Sequence, residues 1–96
     1  MRATLSRVGA YRVRLVIGFR PSLTIAKQQA VLDCLEALRP QSVDWSETEC
    51  TIVCDTVADH AVAAQHDTEL TVARALFGAG HTMQSAPIVS KTVEAL

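Results

Sequence analysis

The stretch that decides the fold is residues 8–20, which read VGAYRVRLVIGFR. Apolar side chains recur at every second position, namely Tyr11, Val13, Leu15, Ile17 and Phe19. A period of two over this length, with β-branched residues, is typical of a strand with one buried face. Pro21 ends it, because proline has no amide hydrogen to continue a strand ladder. We therefore predict a long central strand from Val8 to Phe19.

A helix is predicted over Leu23–Leu38, with Ser22 or Thr24 as its N-cap. Its apolar positions follow a spacing of three or four, and polar residues fill the other side. They are Ala26, Ala30 or Val31, Cys34, Leu35 and Leu38. Arg39-Pro40 ends the helix, because a residue before proline is disfavoured in helical geometry.

Two shorter strands come next, Ser42–Trp45 and Cys50–Val57, joined by a polar loop that suits a hairpin. On the second of them, Cys50, Ile52 and Cys54 share one face because strand side chains alternate. We assign that face to the core. Trp45 is either half-buried core, the interpretation we favour, or an interface anchor.

A second helix is predicted from about His60 to Phe77, with Asp59 as N-cap and Gly78 and Gly80 as C-cap candidates. Its apolar stripe is predicted at Val62, His66 or Glu69, Leu70, Ala73, Leu76 and Phe77. A break into two helices at residues 66–68 is the alternative. Met83–Val93 is predicted as the last strand, and Pro87 within it favours an edge position.

The element order is therefore strand, helix, strand, strand, helix, strand. With right-handed crossovers, this element order gives a four-stranded antiparallel sheet with the strand order 4-1-3-2 and with both helices on one face. We predict an α+β fold of the ferredoxin-like β-α-β-β-α-β plait type. Ninety-six residues make one such domain, residues 1–96.

Composition narrows the range of functions. A net charge of −1 and a pI near 6.3 give no electrostatic reason to expect nucleic acid or an anionic membrane as partner. No apolar run approaches a membrane span, and the first residues lack the apolar core of a signal peptide. The three cysteines, Cys34, Cys50 and Cys54, read as free thiols. We expect a cytoplasmic protein with no metal and no cofactor.

The helix-free face of the predicted sheet is the surface for which the sequence suggests a function. It carries Arg12, Arg14, Val16, Thr51, Val53 and Asp55. None of these is aromatic, so the face lacks the base-stacking platform of RNA-recognition plaits. We expect Asp55 and Glu49 to pair with the arginines, and we expect two copies of the chain to meet through this face. The predicted interface residues are Arg12, Arg14, Val16, Thr51 and Val53. The leading expectation is thus a non-enzymatic interaction domain that forms a homodimer.

Gly18-Phe19-Arg20 resembles the end of the phosphate-binding loop of acylphosphatases, which are single plaits of similar length. The resemblance covers about three residues. It implies an anion bound by Arg20 and hydrolysis of an acyl phosphate. That family also uses an asparagine to orient the attacking water, and this sequence contains no asparagine. The candidate anion ligands are Arg20, Arg12 and Arg14.

A further alternative is a regulatory plait, similar to ACT domains, that binds a small molecule. No catalytic residue is assigned, although three histidines could transfer protons near neutral pH. They are His60, His66 and His81. Their spacing predicts no nucleophile–base constellation. The sequence identifies no ligand.

Overall fold

The structure is a computed structural model that describes residues 8–96. The elements, in chain order, are β1 (Gly9–Gly18), α1 (Ile25–Glu36), β2 (Ser42–Ser46), β3 (Glu49–Ala58), α2 (Ala61–Gly78) and β4 (Ile88–Ala95). In the described part of the chain, no helix is long and apolar enough to cross a membrane.

The four strands form one antiparallel sheet. Their spatial order is β2-β3-β1-β4, which is 4-1-3-2 when counted from the opposite edge. β1 lies at the centre and pairs with β3 over its whole length, from Gly9 opposite Ala58 to Gly18 opposite Glu49. The predicted α+β class, with a four-stranded antiparallel sheet and two helices, is confirmed.

The core lies on one face of the sheet. Val13, Leu15 and Ile17 of β1 are fully buried, as the alternation predicts. Cys50 and Ile52 of β3 join them, whereas Cys54 is only half-buried. Both helices contribute to this same buried cluster, so both cover the same face of the sheet. Within residues 8–96, the other face of the sheet carries no helix.

The first helix is shorter than predicted. Thr24 is its N-cap, and the hydroxyl accepts a hydrogen bond from the Lys27 amide at 3.3 Å. Val31 and Leu35 are buried against the sheet. Ala26 and Ala30, which we assigned to the apolar stripe, are exposed. On this helix, Val31 and Leu35 bury more apolar area against the sheet than Ala26 and Ala30 would.

The second helix is continuous, so the alternative with a break at residues 66–68 is wrong. Its N-cap is His60 rather than Asp59, and the imidazole Nδ1 accepts a hydrogen bond from the Ala63 amide at 3.2 Å. The histidine fills the capping position because its ring nitrogen can accept a hydrogen bond from an amide that has no partner within the helix.

The predicted apolar stripe of α2 is wrong for its largest members. The helix buries Ala64, Thr68, Val72 and Leu76. The Thr68 hydroxyl donates to the Ala64 carbonyl at 2.8 Å, which satisfies the one polar group on this row. Leu70 and Phe77 point outward, with 43% and 71% of their surface exposed, and Val62 is also exposed. α2 therefore has two apolar faces, and the smaller side chains form the one that packs on the sheet.

The last strand begins at Ile88, not at Met83. Residues 82–86 form a turn instead, closed by the Ala86 amide donating to the Thr82 carbonyl at 2.8 Å. Pro87 precedes the strand, and its carbonyl accepts from the Gly18 amide at 3.0 Å. A short, turn-rich segment therefore replaces the first part of the predicted strand, although β4 does lie at a sheet edge.

Candidate functional site

The end of α2 is shaped by a left-handed residue. Gly80 has φ +90°, a conformation that glycine adopts without steric cost. The Gly80 amide donates to the Phe77 carbonyl at 3.0 Å, and the His81 amide donates to the Leu76 carbonyl at 2.9 Å. This pair of bonds is a Schellman motif. It reverses the chain and lays residues 81–86 beside the last two turns of the helix.

A cavity of about 400 Å³ lies between the C-terminal half of α2 and the segment 81–86. We call it the α2 groove. Its lining is largely apolar and comes from both walls: Ala73, Arg74, Leu76, Phe77, His81, Thr82, Met83 and Ala86. Phe77 and Met83, the two largest apolar side chains on its rim, are 71% and 53% exposed.

The groove continues along the helix toward its N-terminus. A second hollow of about 180 Å³ shares Ala73 and Met83 with it and adds His66, Glu69, Leu70 and Ile88. The same side chains that were predicted to face the core, Leu70 and Phe77, thus form the floor and rim of a surface depression. Exposed apolar groups clustered in a concave surface are typical of a binding site.

The wall opposite α2 is fixed to the sheet. The Ser85 carbonyl accepts from the Arg20 amide, and the Pro87 carbonyl accepts from the Gly18 amide, both at 3.0 Å. The His81 ring meets Phe19 edge-on, with ring centroids 5.2 Å apart. These contacts hold the segment 81–86 in place without a ligand, so the groove is preformed.

Arg74 is the charged residue in the groove lining. Its neighbours three and four residues away on the helix are Leu70, Thr71, Phe77 and Gly78, none of which is acidic. Among residues 8–96, no carboxylate oxygen lies within 4.0 Å of its guanidinium. Arg74 is therefore a cation beside an apolar cavity, with no internal counter-ion in the described chain.

The helix-free face is organised around one ion pair. Arg12 and Asp55 are cross-strand neighbours, and the guanidinium donates to both carboxylate oxygens, at 2.8 and 3.0 Å. The hydrogen bond from Arg12 lowers the pKa of the Asp55 carboxyl below its usual value. The expected pairing with Asp55 is confirmed. Within residues 8–96, neither Arg14 nor Glu49 forms an ion pair.

Asp55→Asn should make stability less dependent on pH. A lowered folded-state pKa stabilises the fold above the unfolded value near ~3.9, and this contribution is lost as the pH falls through the folded pKa. We expect a lower urea midpoint for the variant at pH 7 and coincident midpoints for variant and parent below the Asp55 pKa. Arg12→Gln should remove the same pH dependence. A constant difference between variant and parent at every pH would show that the ion pair is not its source.

The interface predicted on this face stays a prediction. Arg14 is exposed, Thr51 and Val16 are half-buried, and Val53 is only 8% exposed although none of the helices described covers it. Arg14 is the cross-strand partner of Val53, so long arginine stems lie beside this valine and can shield it.

All three cysteines are free thiols in the structure. Burial raises the pKa of the Cys50 thiol to about 12, and burial also raises the pKa of Cys54. No group of three or more metal-ligating side chains occurs in the described region, residues 8–96.

Cys50 should be inert to thiol reagents in the folded protein. At pH 8 its thiolate fraction is on the order of 10⁻⁴ for a pKa near 12, and the side chain is fully buried. A single-cysteine variant that retains only Cys50 should react with a disulfide reagent at the rate of unfolding. A matched variant that retains only Cys34, which is half-buried, should react faster. Rapid labelling of Cys50 under native conditions would contradict its placement in the core.

The amides of the segment that resembles the acylphosphatase loop are occupied. The amides of Gly18, Phe19 and Arg20 donate to the carbonyls of Pro87, Thr48 and Ser85, each at 3.0 Å. They cannot also bind a phosphate. Phe19 is buried and packs against Trp45 with ring centroids 5.1 Å apart, so Trp45 is a half-buried residue that packs against the core. The Arg20 side chain is exposed at the strand end.

The α2 groove is not predicted from the sequence, although one of its walls is a helix that the sequence does predict. The exposed row of α2 was predicted to face the core, and residues 83–87 were predicted to be strand. Gly78-Ala79-Gly80-His81 was the one local signal, since a glycine after a helix predicts a reversal of the chain.

No protein-family model matches the chain, and no curated protein or solved structure matches it either.

Proposed function

We propose that the protein is a small-molecule-binding domain and that the α2 groove is its binding site. We further propose that its fold is a ferredoxin-like plait. The antiparallel pairs β1–β3 and β2–β3, with α1 between β1 and β2 in the chain, support that assignment.

The observation that carries the proposal is a preformed apolar cavity of about 400 Å³. Sites for small molecules are concave, mostly apolar and usually within ~300–1,000 Å³, with a few polar groups that fix orientation. The α2 groove meets each of these conditions, and its polar groups are Arg74, His81 and Thr82. A ligand seated there would cover Phe77 and Met83, whose exposure to water is otherwise unfavourable.

The test is an NMR titration of the ¹⁵N-labelled full chain with decan-1-ol and with decanoate, each below the concentration at which it aggregates. Binding should shift amides of residues 73–77 and 81–83 more than those of the helix-free face. Phe77→Ala should weaken binding of both probes. Val62→Ala, an exposed residue of the same helix that does not line the groove, should leave binding unchanged. The absence of localised shifts with both probes would refute the proposal.

Self-association through the helix-free face is a second candidate function. The observation that favours it is the pair of exposed valines on that face, Val57 opposite Ala10 and Val89 beside Gly18. Strand spacing of ~4.8 Å and rise of ~3.3 Å per residue give this face roughly 500 Å² per copy, near the lower limit for a specific dimer.

Pairing through the edges of the sheet is less suited to this chain. β2 has five residues. Lys91 of the β4 edge lies opposite Leu15, on the helix side, and pairs with Glu69 of α2 at 3.3 Å. Inward-pointing charges and short strands protect edges from pairing.

The oligomeric state tests this second candidate. Analytical ultracentrifugation should show a dimer that Val57→Lys converts to a monomer. The matched variant Val62→Lys, on the opposite layer of the molecule, should remain dimeric. A monomeric parent protein at millimolar concentration would exclude self-association as the function of this face.

A further inference from the structure

We infer that the ligand of the α2 groove is an amphipathic monocarboxylate, whose carboxylate pairs with Arg74 and whose apolar tail lies along Phe77 and Met83. The inference rests on the proposed function, because it names the class of molecule that the groove binds.

The positive charge of Arg74 favours an anionic ligand in the groove. Arg74 lines the cavity, and no carboxylate in residues 8–96 neutralises it. A guanidinium presents two parallel N–H donors that match the two oxygens of a carboxylate. A neutral ligand would leave this cation without a counter-ion at the edge of an apolar cavity. An anionic group placed there gains an ion pair that the protein does not supply internally.

A second polar group faces the same cavity from the other wall. His81 lines the groove and is held by its edge-on contact with Phe19 and by its amide bond to Leu76. An imidazole has an N–H donor in either protonation state. His81 is therefore a second N–H donor available to an anionic ligand, on the wall opposite Arg74.

The helix polarity favours a singly charged anion over a phosphate. The groove lies along the last two turns of α2, which ends at Gly78. The C-terminal end of a helix carries partial negative charge, which opposes anions. Arg74 can offset this charge for a monoanion. A dianionic phosphate would meet stronger repulsion, and it would lack the free helix N-terminal amides that phosphate sites use.

The volume of the cavity limits the length of the apolar tail of the ligand. About 400 Å³ corresponds to roughly 13 groups the size of a water molecule at ~30 Å³ each. A carboxylate with roughly ten carbons fills that volume. The extension toward Leu70 and Ile88 continues in one direction along the helix, which suits an unbranched chain better than a compact one. Glu69 also lines this extension, where it pairs with Lys91, so the carboxylate end of the ligand lies at the Arg74 end of the groove.

The experiment compares matched ten-carbon probes by isothermal titration calorimetry: decanoate, decan-1-ol and decyl phosphate, each below its aggregation concentration. Decanoate should bind more tightly than the other two. Arg74→Gln should weaken decanoate binding about fivefold, as expected for an exposed ion pair, and should weaken decan-1-ol binding less. Lys27→Gln, which removes an exposed cation from α1, should change neither affinity. Circular dichroism would confirm that both variants remain folded.

Three outcomes separate the inference from the function on which it rests. Equal affinities for decanoate and decan-1-ol, or an Arg74→Gln variant that binds decanoate normally, would overturn the anion assignment and leave the binding groove standing. Tighter binding of decyl phosphate would overturn the preference for a carboxylate. If none of the three probes binds, the proposed function fails, and the inference fails with it.

Discussion

Phe19→Ala should lower the free energy of unfolding by about 3–5 kcal/mol, the range for removing a buried aromatic side chain. Phe19 is fully buried where β1 ends, and its ring contacts both Trp45 and His81. The truncation leaves a cavity between β2 and the segment that bears His81. A domain of this size is stabilised by about 5–15 kcal/mol in total, so the loss is a large fraction of the whole.

Urea unfolding followed by circular dichroism measures this loss. If Phe19→Ala does not fold, Phe19→Leu keeps the prediction testable, because it retains much of the apolar volume and should cost less than the alanine variant. The control is Arg20→Ala, at the exposed neighbouring residue, which should stay within ~0.5 kcal/mol of the parent. A cost for Arg20→Ala as large as that for Phe19→Ala would contradict the assignment of the aromatic residue to the core.

The contrast between these two neighbours bears on the Gly18-Phe19-Arg20 segment. In the structure its amides bond to two separate parts of the chain, the loop at Thr48 and the segment that holds Ser85 and Pro87, and its aromatic ring fills the core. These contacts give the segment a structural role that requires no anion. Loss of stability in Phe19→Ala with no effect in Arg20→Ala is the pattern that this role predicts.

The central strand could be predicted from the sequence because its alternating apolar and charged side chains fit only one choice of buried face. Tyr11 to Phe19 place every second side chain on the same face, and a shift by one residue would bury Arg12 and Arg14. The alternation places Arg12 and Asp55 on the same face of the sheet, and the structure shows that they are cross-strand neighbours. A shift by one residue is excluded by the charges it would bury, but the pairing of β1 with β3 is not fixed by the alternation.

The orientation of α2 could not be predicted in the same way. Its sequence has an apolar row at Ala64, Thr68, Val72 and Leu76 and a bulkier row that contains Leu70 and Phe77. Both rows have helical spacing, and hydrophobicity alone favours the bulkier one. The smaller side chains face the sheet, which allows the helix backbone to approach it closely. That choice depends on the shape of the sheet surface, which local sequence does not encode.

The position of the groove could not be predicted from the sequence for a similar reason. Its second wall is placed by hydrogen bonds from β1 to Ser85 and Pro87, across more than sixty positions of sequence. No pattern within residues 81–87 predicts those partners. Gly80 predicts a reversal of the chain, but it does not predict where the reversed chain is held.

Leu76→Ala and Phe77→Ala should differ strongly in their effect on stability, although the residues are adjacent. Leu76 is 3% exposed, and its truncation should lower the free energy of unfolding by about 2–5 kcal/mol. Phe77 is 71% exposed, and its truncation should change stability by less than ~0.5 kcal/mol. Urea unfolding of both variants would establish which row of α2 faces the core.

The same pair of variants links the packing of α2 to its proposed function. Phe77→Ala should weaken decanoate binding while the protein remains as stable as the parent, because Phe77 forms the rim of the groove and takes no part in the core. The conservative variant Phe77→Leu should restore part of the affinity. If Phe77→Ala proved as destabilising as Leu76→Ala, the bulkier row would be the buried one. The α2 groove would then not exist in the form described, and both proposals built on it would be withdrawn.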